Sequence, residues 1–143
     1  MTPLYDQSSV IPIRFTDNKI QVLLITSLNS GQWIFPKGII DNGLSAGEAA
    51  AQEAYEEAGV RGNVPDILIG VYTYEKWGGT CQVKVFPMIV NEILTTWPES
   101  EERRRSWVSL KKAQKMIKKK ELRMLLDNLE KKWPSIRQAI ESV

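Results

Sequence analysis

Two hydrophobic periods run along the chain. Near the N-terminus Ile11, Ile13 and Phe15 alternate with Pro12 and Arg14, the period of two that predicts a strand. Asp17-Asn18 supplies turn residues, and the denser apolar run from Ile20 to Thr26 predicts a second, more buried strand. Gln32 to Pro36 reads as a short extended piece ending at Lys37-Gly38. Ile67 to Trp77 and Thr80 to Glu92 read as strands joined by a hairpin at Gly78-Gly79. Pro87 has no N–H to give a ladder, so its strand is expected at a sheet edge or bulged there. After a polar loop, Trp97 to Glu102, Ser106 to Leu110 predicts one more short strand.

The helical period takes over in two places. Ser45 and Glu48 have the S-x-x-E spacing of a capping box, in which each side chain satisfies a backbone N–H of the other. Six alanines from Ala46 to Ala58 then favour helix, and Gly59 stands where a C-terminal cap needs a positive φ. In the last third, Leu122, Leu125, Leu126, Leu129 and Trp133 recur at helical spacing, which predicts a helix facing the core. Mixed strands, a central helix and a terminal helical segment imply an α/β layered domain.

With 143 residues, one domain spanning 1–143 and one core are expected. Hydrophobic residues make up 43% and charged residues 25%, ordinary for a soluble globular protein. No apolar run is long enough to span a bilayer and no signal peptide is evident, so the expected location is cytoplasmic. Cys81 is the single cysteine, so no internal disulfide can form. There is no histidine, which excludes a His-ligated zinc site and a Ser-His-Asp triad. Metal chemistry would rest on oxygen ligands, which points to magnesium, manganese or calcium.

Charge is unevenly spread. Residues 1–102 carry 6 Lys+Arg against 13 Asp+Glu, whereas residues 103–143 carry 13 against 4. An acidic centre beside a basic segment suits a cation plus a polyanionic ligand. Basic helices that merely show a solvated face would give the same totals.

Glu53, Glu56 and Glu57 have i, i+3, i+4 spacing, which places three carboxylates on one helix face, with Ala51, Ala54, Tyr55 and Ala58 opposite. Each like-charge pair costs a few tenths of a kcal/mol, roughly, and a cation relieves that repulsion. Three hard oxygen ligands suit a magnesium ion that keeps some waters and takes substrate phosphates. A solvated acidic face has the same spacing, so spacing alone leaves both readings open.

The wider context is Gly38, the capped helix and Glu53-x-x-Glu56-Glu57-x-Gly59-Val60. This resembles the Nudix hydrolase box: a glycine, five residues, a glutamate, seven residues, then Arg-Glu-U-x-Glu-Glu-x-Gly-U with U apolar. Gly38, Glu53, Ala54, Glu56, Glu57, Gly59 and Val60 match in register; Leu44 replaces the first glutamate and Gln52 the arginine. In the family those two side chains are thought to pair. Losing both avoids the unpaired charge that losing one would leave.

The resemblance implies an α/β/α sandwich with a mixed sheet, and hydrolysis of a phosphoanhydride by Glu53, Glu56 and Glu57 with Mg2+, or Mn2+ in its place. It implies that these glutamates and the Gly38 carbonyl hold the metal. The general base is open among Glu53, Glu99, Glu101 and Glu102. Trp33-Ile34-Phe35-Pro36-Lys37-Gly38 and Trp97-Pro98-Glu99-Ser100, leading into Arg103-Arg104-Arg105-Ser106-Trp107-Val108, resemble the diphosphoinositol polyphosphate and diadenosine polyphosphate hydrolases. Lys37, Arg103, Arg104 and Arg105 are the expected substrate-binding residues, and Lys118-Lys119-Lys120 could also meet phosphates. Ser27-Leu28-Asn29 lacks an arginine that inositol-cleaving relatives tend to carry, and Lys76-Trp77-Gly78-Gly79 is weakly basic. Core packing is the expected role of Trp33 and Trp107. The expected partner is a small polyphosphate, not a membrane and not a nucleic acid, a capped RNA end excepted. The other readings are a Nudix-fold module that senses a nucleotide without cleaving it, and a basic nucleic-acid-binding domain.

Overall fold

A computed structural model describes residues 2–141. The alternating N-terminal segment is one long strand, β1 (Leu4–Thr16), and the apolar run after it is β2 (Lys19–Thr26). The two are joined at Asp17 and Asn18, both with positive φ, as a two-residue primed turn requires. The extended piece is split into β3 (Trp33–Ile34) and β4 (Lys37–Ile39). Helix α1 (Ala46–Ala58) follows, then β5 (Val60–Asn63), β6 (Gly70–Lys76), β7 (Gly79–Ile93) and β8 (Arg105–Ser109). Helices α2 (Leu110–Met116) and α3 (Lys120–Glu141) close the described chain. Among the described residues no helix is long and apolar enough to cross a membrane.

The strands form one mixed sheet. β7 runs parallel to β1 and antiparallel to β5 and β6; β1 also pairs β2 and β4, and β2 pairs β3 and β8. Strand alternation sorts the apolar residues onto two faces. Val10, Leu23, Ile25, Phe86 and Met88 pack under α1, while Ile11, Ile13, Val22, Leu24, Val83 and Val85 pack with the leucines of α3. The result is an α/β/α sandwich.

Three expectations change in detail. Pro87 lies within the central strand, not at an edge. The Val85 carbonyl accepts from Ile69 N–H, and residues two apart face the same side, so the Pro87 nitrogen also faces that side. There β6 has ended at Gly70 opposite Val85 and β5 has not begun until Asn63 opposite Ile89, so no ladder bond is lost. The β6–β7 turn is Trp77-Gly78, with φ of 55° and 68°. Gly79 is the next strand residue, where a Cβ would come within 2.5 Å of the Pro3 carbonyl. Ile67 to Ile69 precede β6 without being part of it.

Candidate functional site

Helix α1 begins and ends as its sequence requires. The Ser45 hydroxyl accepts from Glu48 N–H and the Glu48 carboxylate accepts from Ser45 N–H, and Gly59 adopts φ 67°. A cap of this kind is worth about 1 kcal/mol. Ala50, Ala54 and Ala58, four residues apart, are completely buried against the sheet. Ala51 and Tyr55, expected on that face, are only half-buried. The small side chains let the helix lie close to β1 and β4.

That closeness draws the glutamates inward. Glu57 is buried, with 7% of its surface exposed, so the acidic face is not a uniformly solvated one. Its carboxyl accepts from Lys37 N–H at 3.3 Å and lies 3.8 Å from the Arg103 guanidinium. Glu53 lies directly against Gly38: a Cβ on that glycine would sit 2.3 Å from the Glu53 carboxyl carbon. Glu56 points elsewhere, accepting from the Gln52 amide at 3.3 Å.

Electrostatics mark the same pair. The Glu57 carboxyl is pushed up to about 9, first by burial and then by its hydrogen bond to Glu53, with Arg103 opposing. Burial also raises Glu53, the bond from Glu57 opposes this, and the charges of Glu56 and Glu99 add to the rise. The two carboxyls are thus each raised by burial and linked to one another. Among the described residues no three acidic side chains already surround one point. The donor set nevertheless fits a hard divalent cation. It offers two adjoining carboxyls, a third one turn away, and a glycine whose missing side chain leaves its backbone open to them.

The loop between β7 and β8 grips the last turn of α1. Trp97 Nε1–H donates to the Glu57 carbonyl at 3.0 Å, and Glu99 N–H donates to the Glu56 carbonyl at 3.1 Å. Arg105 donates to the carbonyls of Ala58, Gly59 and Leu94, and its guanidinium stacks 3.9 Å from the centre of the Trp97 ring. Apart from that of Leu94, these are carbonyls at the C-terminal end of α1, where the helix itself supplies no donor.

The three arginines therefore do not form one phosphate-binding patch. Arg105 is committed to carbonyls. Arg103, its side chain 8% exposed, is tied to Glu99 at 2.8 Å, to the Thr26 carbonyl at 2.9 Å and to Glu57. Arg104 alone is exposed, with its guanidinium 5.6 Å from the centre of the Trp33 ring. Of the three residues expected to bind substrate, Arg105 is taken up by the helix end, Arg103 bridges the loop and the helix while also lining a cleft beside Glu57, and Arg104 is exposed. Trp33 and Trp107 pack against the cores as expected.

Positive charge reaches the carboxylates from the other side of the sheet. A cleft of about 260 Å³ is lined by Ser27, Asn29, Lys37, Lys76, Arg103 and Glu57. A second of about the same volume adjoins it through Ser27, Asn29, Lys37 and Lys76, and adds Tyr72, Tyr74 and Lys119. Lys37 lies 4.9 Å over the Tyr74 ring. Burial lowers its pKa, Glu57 opposes, and the like charges of Lys76 and Lys119 lower it further. Lys119 comes from the lysine run after α2, and Lys76 from the hairpin that reads as only weakly basic. Tyr72 and Tyr74 carry no motif; strand alternation next to Lys76 is the one signal that could have found them.

The comparisons agree with this geometry. The family profile for the NUDIX domain matches residues 6–129. Nudix hydrolase 13, mitochondrial, of Arabidopsis thaliana is 37% identical over 107 residues, covering 68% of this chain and 53% of the relative. Diphosphoinositol polyphosphate phosphohydrolase 2 of Rattus norvegicus is 34% identical over 105 residues, covering 71% of this chain and 57% of the relative. The chain spans about half the length of the curated relatives it matches. In fold it is similar to a Caenorhabditis elegans Ap4A hydrolase in a binary complex, with TM-score 0.77, 24% identity, and coverage of 92% of this chain and 98% of the other. It is also similar to the NUDIX domain of Shewanella oneidensis NrtR complexed with ADP ribose, with TM-score 0.74, 13% identity, and coverage of 93% and 90%. On the match across nearly the whole sandwich and the glutamate-bearing helix at its centre, the chain belongs to the Nudix hydrolase family.

Proposed function

We propose that this protein hydrolyses a phosphoanhydride bond in a substrate carrying several phosphates, a diadenosine polyphosphate or a diphosphoinositol polyphosphate, with Mg2+ as cofactor. The observation that carries the reading is that Glu57 lines a cleft with Lys37 and Lys76, and that these two lysines continue into an adjoining cleft that adds Lys119. Lysines that repel one another across the cleft gain from a polyanion laid between them. Mg2+ would be held by Glu53, Glu56, Glu57 and the Gly38 carbonyl, and when bound supplies charge against the phosphates and acidifies a water.

The remaining work falls to the chain. The lysines orient the phosphates. Arg103 braces Glu57 and Glu99 from below. In this reading Glu53 takes the proton from the attacking water; of the other candidates, Glu99 is paired with Arg103, and Glu101 and Glu102 are exposed. That water forms a new P–O bond as the bridging P–O bond breaks, and the leaving phosphate takes up the negative charge.

A phosphate-release screen over diadenosine polyphosphates, diphosphoinositol polyphosphates and ADP-ribose, with and without Mg2+, tests this. Turnover of the multiply phosphorylated substrates in preference to ADP-ribose is expected. ADP-ribose as the best substrate, or no turnover of any, would overturn it.

A further inference from the structure

Ser8 is the polar residue that the site does not yet account for. It is completely buried on β1, and its hydroxyl has no hydrogen-bond partner among the described residues. Ser8 pairs with Gly38 across the antiparallel β1–β4 ladder. Paired residues on neighbouring strands project to the same face, with Cα atoms about 4.5–5.5 Å apart. The face to which Gly38 projects holds the Glu53 carboxyl directly above its Cα. Val10, two residues on and therefore on the same face, packs under α1. Ser8 thus directs a fully buried, unused O–H toward the floor on which Glu53 rests.

An unsatisfied buried hydroxyl is a cost to the fold. A carboxylate has about four lone-pair sites, and one that ligates a cation with some of them can still accept a hydrogen bond with the rest. Ser8 supplies a buried donor beside the glycine against which the Glu53 carboxyl lies.

The geometry points to Ser8 as a positioning residue whose hydroxyl donates to Glu53 when the site holds its cation. This rests on the assignment of Glu53 to that site. Ligand carboxylates are commonly oriented by hydrogen bonds of this kind, and loss of such a partner costs on the order of tenfold in metal affinity.

The test is Mn2+ binding to the full chain without substrate, followed by electron paramagnetic resonance, together with metal-free melting. Ser8→Ala should melt at the same temperature as the unaltered protein, or higher, without metal. It should bind Mn2+ on the order of tenfold more weakly. Ser8→Thr, which keeps the hydroxyl, should recover most of that affinity. Equal Mn2+ affinity in the unaltered and Ser8→Ala proteins would overturn the inference. So would a Ser8→Ala protein that melts several degrees lower without metal, because the hydroxyl would then already be serving the fold. Failure of the unaltered protein to bind Mn2+ at all would instead overturn the functional reading beneath it.

Discussion

Trp97 donates its indole N–H to the main-chain carbonyl of Glu57 at 3.0 Å, so the loop after β7 is fastened to the residue that carries the most perturbed carboxyl of the site. Arg105 completes the clasp by stacking on that indole and capping the next two carbonyls of the helix. The first prediction concerns this clasp. Arg105→Ala removes a donor from the carbonyls of Ala58 and Leu94, whereas Gly59 keeps its bond from Leu94 N–H, and should cost about 2 kcal/mol of stability in a denaturant melt. Arg104→Ala, at an exposed position, should stay within about 0.5 kcal/mol. Similar losses for the two would show that Arg105 is not a structural clasp.

A second prediction follows from the raised Glu57 carboxyl. The folded pKa of Glu57 is about 9, above its ordinary value of 4.5, so the folded state binds this proton more tightly than the unfolded state. The stabilising contribution is complete below pH 4.5 and is lost as pH rises toward and through 9. Metal-free melting temperature should therefore fall across that window by this contribution, and Glu57→Gln should flatten the slope. Mg2+ must displace the proton, so its affinity should rise with pH over the same range. A Glu57→Gln protein with the unaltered slope would contradict the assignment.

The cleft lysines give a third. Lys76→Ala and Lys119→Ala each remove an exposed charge that lines the cleft, worth up to about 1 kcal/mol, or roughly a fivefold rise in KM. The rise should be larger for longer polyphosphates and should shrink in high salt. Steady-state kinetics at two salt concentrations checks this; a fall in kcat with KM unchanged would place these lysines elsewhere in the cycle.

The altered box supplies a fourth. Gln52 donates to Glu56 rather than bracing Leu44. Gln52→Arg should hold Glu56 more firmly through charge and weaken Mg2+ binding roughly fivefold, since an exposed ion pair is worth up to about 1 kcal/mol. Titration calorimetry with Mg2+ reads this directly, and a gain in affinity would show that Glu56 is not held back by its neighbour.

Much of this was legible in the residues. The capping box, Gly59 and the glutamate spacing fix α1 through local rules, and local rules are what a single sequence displays. The Asp17-Asn18 turn and the α3 stripe are legible for the same reason. The roles of Arg103 and Arg105 were not, because each is set by carbonyls and carboxylates distant in the chain. The same holds for Pro87, whose tolerance depends on where two other strands stop and start. The cleft is assembled from β2, β4, β6 and the α2–α3 connection, and no stretch of sequence announces it.

The central claim is that Glu56 and Glu57 serve Mg2+-dependent phosphoanhydride cleavage rather than the fold. It is tested most directly by measuring phosphate release from a diadenosine or diphosphoinositol polyphosphate with Mg2+ for the unaltered, Glu56→Gln and Glu57→Gln proteins, alongside their metal-free melting. The account predicts turnover by the unaltered protein and loss of turnover in both variants. Their metal-free stability should hold or rise, because each substitution removes a like charge or a buried acid from one helix face. Full activity in both variants would contradict it.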